Sequence, residues 1–185
     1  MVPRADVRTE KAIRDTTSWA KDKPRTAENL PTFLERFAGP KRKKKLSHAH
    51  PEKGSPHTLV VAGAGLRAAD LTRALRKFQT KDALVAKLFA KHIKLKESIE
   101  TVRKARISIG VGTPQRIIDL LEAGALRADG LERIVVDASH IDVKKRGMLD
   151  MKETLVPLVE SLRREELKER FGKEGGEDGL EVLFF

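Results

Sequence analysis

From residue 58 onward, short apolar runs alternate with longer amphipathic stretches. Leu59-Val60-Val61-Ala62 followed by Gly63-Ala64-Gly65 reads as a buried strand ending in a turn. Leu71, Ala74, Leu75 and Phe78 then recur at helical spacing and predict a helix over about 67–78. A second helix is predicted over about 82–92, and a third, short one over 97–104. Ile107 to Val111 is the next strand. Thr113-Pro114 opens a helix through Glu122, with proline where its missing N–H is harmless, and Gly124 stops it. Arg133 to Asp137 reads as a strand, a loop follows, a helix is predicted over about 152–171, and Leu180 to Phe185 forms a final strand. This alternation implies βαβ units: an α/β fold with a parallel sheet and helices on both faces. Ligands of such sheets sit beyond the carboxyl ends of the strands, which singles out the loops 63–66, 112–116 and 137–145.

The first 57 residues have a different texture. Pro3, Pro24, Pro31, Pro40, Pro51 and Pro56 forbid long helices, so the segment reads as an extended arm preceding a domain over 58–185. One short helix is expected over 32–37. It places Phe33, Leu34 and Phe37 on one face, with Leu30 extending the stripe. Such a stripe docks either on the chain's own core or on a protein partner; the partner is the expected target.

Charge strengthens the division. Among its 185 residues the chain carries a net charge of +11, and residues 1–58 hold 14 Lys and Arg against 7 Asp and Glu. Lys41, Arg42, Lys43, Lys44 and Lys45 form one unbroken basic run, as nuclear import signals and phosphate-contacting arms do. Between Leu66 and Arg106 there are 12 basic residues and 4 acidic ones. That is the footprint of a polyanion binder, and nucleic acid is the usual polyanion. Aromatic residues make up only 4% and Tyr is absent, so contact with the phosphate backbone should outweigh base stacking. There is no cysteine, hence no disulfide or thiolate metal site. No apolar run is long enough for a membrane helix, and no secretory signal is evident at the start. His48, His50 and His57 lack accompanying carboxylates, so no metal site and no cofactor are expected. Gly63-Ala64-Gly65-Leu66-Arg67-Ala68 fits a dinucleotide fingerprint, but no acidic residue ends a following strand at the required distance. The glycines serve close helix–strand packing, or the helix start with Arg67 meets a phosphate of RNA. Asp137, Ser139 and His140 are too close together to form a hydrolase triad.

Three loops carry a resemblance. Gly112-Thr113-Pro114-Gln115-Arg116 through Leu121 resembles the T-P-G-R-[IL]-x-D-L-L block of DEAD-box RNA helicases. Ile134-Val135-Val136-Asp137-Ala138-Ser139-His140 stands where that family has its apolar strand and D-E-A-D box. Met148 to Met151 resembles the stretch after the box, and Val182 to Phe185 falls where the family's next strand leads into S-A-T. The resemblance implies a RecA-like lobe over 58–185 and RNA contacts at Gly112, Thr113, Pro114 and Arg116, joined by Arg67 and the run Lys41 to Lys45. It also marks Asp137, Ala138, Ser139 and His140 as a degenerate box. The sequence has no G-x-x-x-x-G-K-[ST] phosphate loop, and Ala138 replaces the Glu that would act on water. No counterpart of a second lobe is present, so neither ATP hydrolysis nor unwinding is expected.

The stretches Ser55-Pro56-His57-Thr58-Leu59-Val60-Val61, Leu88 to Leu95, and Val136 to Ile141-Asp142 with Lys145-Arg146-Gly147 resemble the Cms family, nucleolar relatives of the helicase lobe associated with the small-subunit processome. That resemblance implies a non-catalytic ribosome biogenesis factor in the nucleus and nucleolus. Its implied partners are pre-ribosomal RNA and assembly proteins of the small-subunit pre-ribosome, with no membrane and no small-molecule substrate. An RNA-binding adaptor that recruits or regulates a true helicase stays open as the alternative.

Overall fold

The computed structural model describes residues 11–20, 23–38, 45–90, 92–173 and 179–185. The main elements are α1 (Leu30–Phe37), β1 (Thr58–Val61), α2 (Gly65–Leu75), β2 (Leu84–Leu88), α3 (Leu95–Lys104), β3 (Ile107–Gly112), α4 (Pro114–Glu122), β4 (Arg133–Val136), α5 (Lys152–Leu162), α6 (Glu165–Lys168) and β5 (Glu181–Phe184), with short helical turns at Thr17–Ala20, Ala27–Asn29 and Arg76–Phe78. The strands form one sheet in the order β2-β3-β1-β4-β5, and all four pairings are parallel. This is the expected α/β, RecA-like sheet.

Period-two alternation divides the core. Leu59 and Val61 of β1 join Ile117, Leu120, Ile134 and Leu158 under α3, α4 and α5. Val60 points the other way, among Leu71, Leu75, Ile109 and Val135 beneath α2. Strands buried on both faces read as continuous apolar runs, which is why the runs at 59–62 and 107–111 identified themselves.

Two expectations fail. The segment expected as a helix over 82–92 is strand β2. Ala86 and Leu88 face one core layer and Val85 the other, so the run follows a period of two. A short apolar run with few polar markers fits both periods, and only its place beside β3 decides. The helix expected over 152–171 is broken: Arg164 is extended (ψ 136°) and divides α5 from α6.

The larger correction concerns the arm. Leu30, Phe33, Leu34 and Phe37, assigned from sequence to docking a partner, lie in the chain's own core at 0–6% exposure. Phe33 packs edge-on against Trp19 at 5.5 Å and Phe185 at 4.9 Å. Arg14 donates its backbone N–H to the Val182 carbonyl (2.9 Å) and its guanidinium to the Phe37 carbonyl (2.8 Å). Ile13 bridges Val182 in parallel, so the arm covers the outer edge of β5. The expected boundary at residue 57 marks a change in composition, not in packing.

His57 anchors the end of this segment. Arg133 donates to Thr58 Oγ1 (2.9 Å), and Thr58 Oγ1 lies 2.7 Å from His57 Nδ1. His57 Nε2 lies 3.3 Å from the Leu46 carbonyl, which only accepts, so Nε2 carries the proton and Nδ1 accepts from Thr58. Burial, then the Arg133 charge, pushes the imidazole from its ordinary 6.5 down to about 3. Between those values the unfolded chain binds a proton that the folded chain refuses. The stability from neutral His57 is therefore whole above pH 6.5 and is lost as pH falls towards 3. The slope is about 1.4 kcal/mol per pH unit. Melting temperatures measured from pH 7 to 5 should fall more steeply for the parent than for His57→Gln; parallel profiles would exclude His57 as the cause.

Candidate functional site

The carboxyl ends of β1, β3 and β4 bring together the three loops singled out by sequence. After β1 the chain passes Gly63, where a Cβ would sit 2.8 Å from the Met148 Cβ, so glycine admits close packing of the loop after β4. Helix α2 opens at Gly65 behind Ala64, which supplies no side-chain cap. A cavity of about 260 Å³ lies against this helix start, lined in part by Asp137, His140, Arg146 and Met148.

Asp137 is 1% exposed and carries two charge-assisted bonds from Arg67: Nε to Oδ2 at 2.8 Å and Nη2 to Oδ1 at 3.1 Å. Both carboxylate oxygens are thus engaged by one guanidinium fork. Ser139 donates its hydroxyl to the Arg25 carbonyl (3.2 Å) and its N–H to the Phe185 carbonyl (3.0 Å). His140 is half-buried and lines both this cavity and a groove of about 830 Å³ between Arg25, Glu28, Arg73 and Ile141. The bonds of Asp137 go to Arg67 and those of Ser139 to the Arg25 and Phe185 carbonyls.

The Gly112–Arg116 block is placed where expected, but most of its side chains face inward. Gly112 is buried, and a Cβ on it would sit 2.2 Å from the Leu88 carbonyl oxygen. Its role here is to let β2 approach β3. Pro114 is buried at the start of α4. Arg116, 8% exposed, donates to the Ile93 carbonyl (3.2 and 3.1 Å) and to Ser98 Oγ (2.7 Å). Its guanidinium ties the loop after β2 to α3, an internal duty in place of an open phosphate contact. Thr113 is half-buried and its N–H donates to the Leu88 carbonyl (3.2 Å). Arg67 is likewise committed, to Asp137.

What the structure presents to solvent here is the loop after β4. The Asp142 carboxylate accepts the N–H groups of Lys144 (2.8 Å) and Arg146 (2.9 Å) and pairs with the Arg146 guanidinium (3.1 Å). The backbone bond from Arg146, before the other contacts, holds the Asp142 carboxyl below its ordinary value. This Asp-anchored turn projects Val143, Lys144, Lys145 and Arg146 outward, with Val143 100% exposed. The loop 137–145 was singled out from sequence, but Lys144, Lys145 and Arg146 were not named among its candidate contacts. Lys45 is exposed, and the rest of the basic run, Lys41 to Lys44, lies outside the described residues. Among the described residues, no group of three or more His, Asp or Glu is placed to hold a metal ion, and no helix is long and apolar enough to cross a membrane.

The family described as CMS1, U3-containing 90S pre-ribosomal complex subunit, matches residues 5–185. Protein CMS1 of Chaetomium thermophilum is 57% identical over 174 residues, covering 94% of this chain and 67% of the relative. Protein cms1 of Schizosaccharomyces pombe is 32% identical over 161 residues, covering 87% of this chain and 55% of the relative. Among solved structures, the yeast DEAD-box splicing factor Prp28 superposes with a TM-score of 0.55 at 19% identity. The match covers 76% of this chain and 31% of Prp28, and it speaks for the fold alone.

Proposed function

The chain belongs to the CMS1 family, and from that premise we propose that it is a non-catalytic assembly factor of the small-subunit pre-ribosome, acting in the nucleus and nucleolus. Its task on this reading is to hold pre-ribosomal RNA and assembly proteins during maturation of 18S ribosomal RNA.

One observation carries the non-catalytic half: the Asp137–Arg67 ion pair. In phosphate-loop enzymes the Asp at this strand end holds magnesium, which bridges the nucleotide phosphates. Here a guanidinium engages both Asp137 oxygens, Ala138 brings no carboxylate, and the sequence lacks the phosphate-loop motif. Magnesium and nucleotide do not fit these residues. Titration with ATP and magnesium should give no binding; a Kd below about 10 μM, roughly −7 kcal/mol, would overturn the proposal.

The RNA half rests on charge. Lys144, Lys145 and Arg146 project beside the carboxyl end of the sheet, Lys45 is exposed, and the span 66–106 is strongly basic. Phosphate contacts of this kind make affinity fall steeply with salt, by about 0.7 in the log–log slope per contact with a single strand. Changing Lys144, Lys145 and Arg146 together to Gln should flatten that slope by about 1–2; an unchanged slope would remove the tip from the interface. In cells, crosslinking followed by sequencing of the bound RNA should recover U3 and the precursor of 18S ribosomal RNA. Recovery of a helicase without those RNAs would favour an adaptor acting outside the pre-ribosome.

A further inference from the structure

The two edges of the sheet are treated differently. The β5 edge is covered by Ile13 and Arg14, whereas among the described residues no strand pairs with the outer side of β2. An open edge is a row of unpaired donors and acceptors, a ready template for another chain.

At β2 the direction of those groups follows from its neighbours. The Leu84 N–H donates to the Arg106 carbonyl (2.9 Å), and the Leu88 carbonyl accepts from the Thr113 N–H (3.2 Å), both on the β3 side. With a period of two, the backbone groups of Val85 and Lys87 face outward. A cavity of about 530 Å³ runs along this edge, from Thr72 and Arg76 beneath α2 on one face to Ser98 and Val102 of α3 on the other. Val85, Ala86 and Ile107 give it an apolar floor, and Arg76 and Lys87 stand exposed at its rim. Neither cation makes an ion pair among the described residues. Among the described residues the slot therefore combines an edge with no strand partner, exposed at Lys87 and 3% exposed at Val85, with room for side chains on both faces and two cations that make no ion pair.

We propose that β2 accepts one extended segment of a partner protein as a sixth, edge-added strand. The segment carries β-branched or small apolar residues at alternate positions and Asp or Glu between them. The outward groups of Val85 and Lys87 bind its backbone, the apolar floor takes its inward side chains, and Arg76 and Lys87 select its acidic residues. The positive rim is what favours an acidic strand over a second copy of this basic chain. The inference does not rest on RNA binding at the carboxyl-end loops.

Panning a phage-displayed library of random dodecapeptides on the whole chain tests it. Enrichment should yield acidic sequences alternating with Val, Ile or Thr. The best sequence, labelled with fluorescein, is then titrated by anisotropy. Lys87→Pro removes one outward N–H at a solvent-facing edge position, where proline is tolerated, and should weaken binding about tenfold or more. Lys87→Gln removes only the charge and should weaken it about threefold. N-methylation of alternate peptide amides leaves the protein untouched and should abolish binding even if Lys87→Pro folds poorly. No enrichment, equal binding to Lys87→Pro by a peptide indifferent to N-methylation, or displacement of the peptide from this edge by single-stranded RNA would overturn the proposal. So would a dimer in sedimentation that Lys87→Pro dissolves, because the occupant would then be a second copy.

Discussion

Replacing Phe33 with alanine should lower stability by about 3–5 kcal/mol, the range for deleting a fully buried aromatic ring. For a domain of this size the melting temperature should drop by roughly 6–20 °C, at about 2–4 °C per kcal/mol. Phe33 is 0% exposed and meets Trp19, Phe37 and Phe185 with ring centroids 5.5, 4.6 and 4.9 Å away. Its removal leaves a hole between α1, the segment around Trp19 and the last strand, three pieces distant in sequence. Arg14 and Thr16 pin the segment before α1 to the Val182 and Phe184 carbonyls, which limits how far that segment can close the hole. Trp19→Phe keeps the edge-on contact and should lose far less. Differential scanning calorimetry separates the two views of this stripe. A docking face for a partner would leave the melting temperature of Phe33→Ala near the parent value and weaken only an interaction. A core face must show itself in the isolated chain.

The stripe illustrates what the sequence could and could not say. Leu30, Phe33, Leu34 and Phe37 at helical spacing declared an amphipathic helix, and that helix is present. Spacing shows which residues share a face but not what the face meets, so the target of the stripe was underdetermined. Four of the five strands were legible because buried parallel strands are continuous apolar runs bounded by glycine or charge. β2 was not, because Ala83 to Phe89 is short, carries one lysine and satisfies helix and strand periods alike. In the site, motif letters located the right loops but not the direction of their side chains. A signal for direction was available. Arg116 stands four residues before Leu120, and Arg67 four before Leu71, and both leucines are 0% exposed. Residues at that spacing share a helix face, so both arginines belong to inward stripes. Each then needs a buried acceptor, and the partners found, the Ile93 carbonyl and the Asp137 carboxylate, lie 23 and 70 residues away. No local pattern encodes a pairing over that distance.

Breaking the second of those pairings should be the other large effect. Arg67→Ala strands the Asp137 carboxylate at 1% exposure with its main counter-charge gone. Removing one partner of a buried ion pair is expected to destabilise by about 3–5 kcal/mol, because the remaining charge stays desolvated and unpaired. Arg67→Met combined with Asp137→Leu removes both charges while keeping bulk, and should recover most of the loss, to within about 1–2 kcal/mol of the parent. That pattern of a severe single and a mild double variant is the signature of an internal charge lock. A carboxylate retained for metal would give the opposite result. Arg67→Ala would then leave the fold intact and free Asp137 to bind magnesium, and Asp137→Asn would be silent in stability while abolishing that binding. Urea unfolding of the four proteins, with and without magnesium, distinguishes the two cases. In the first, this strand end is part of the scaffold that holds α2 against the sheet.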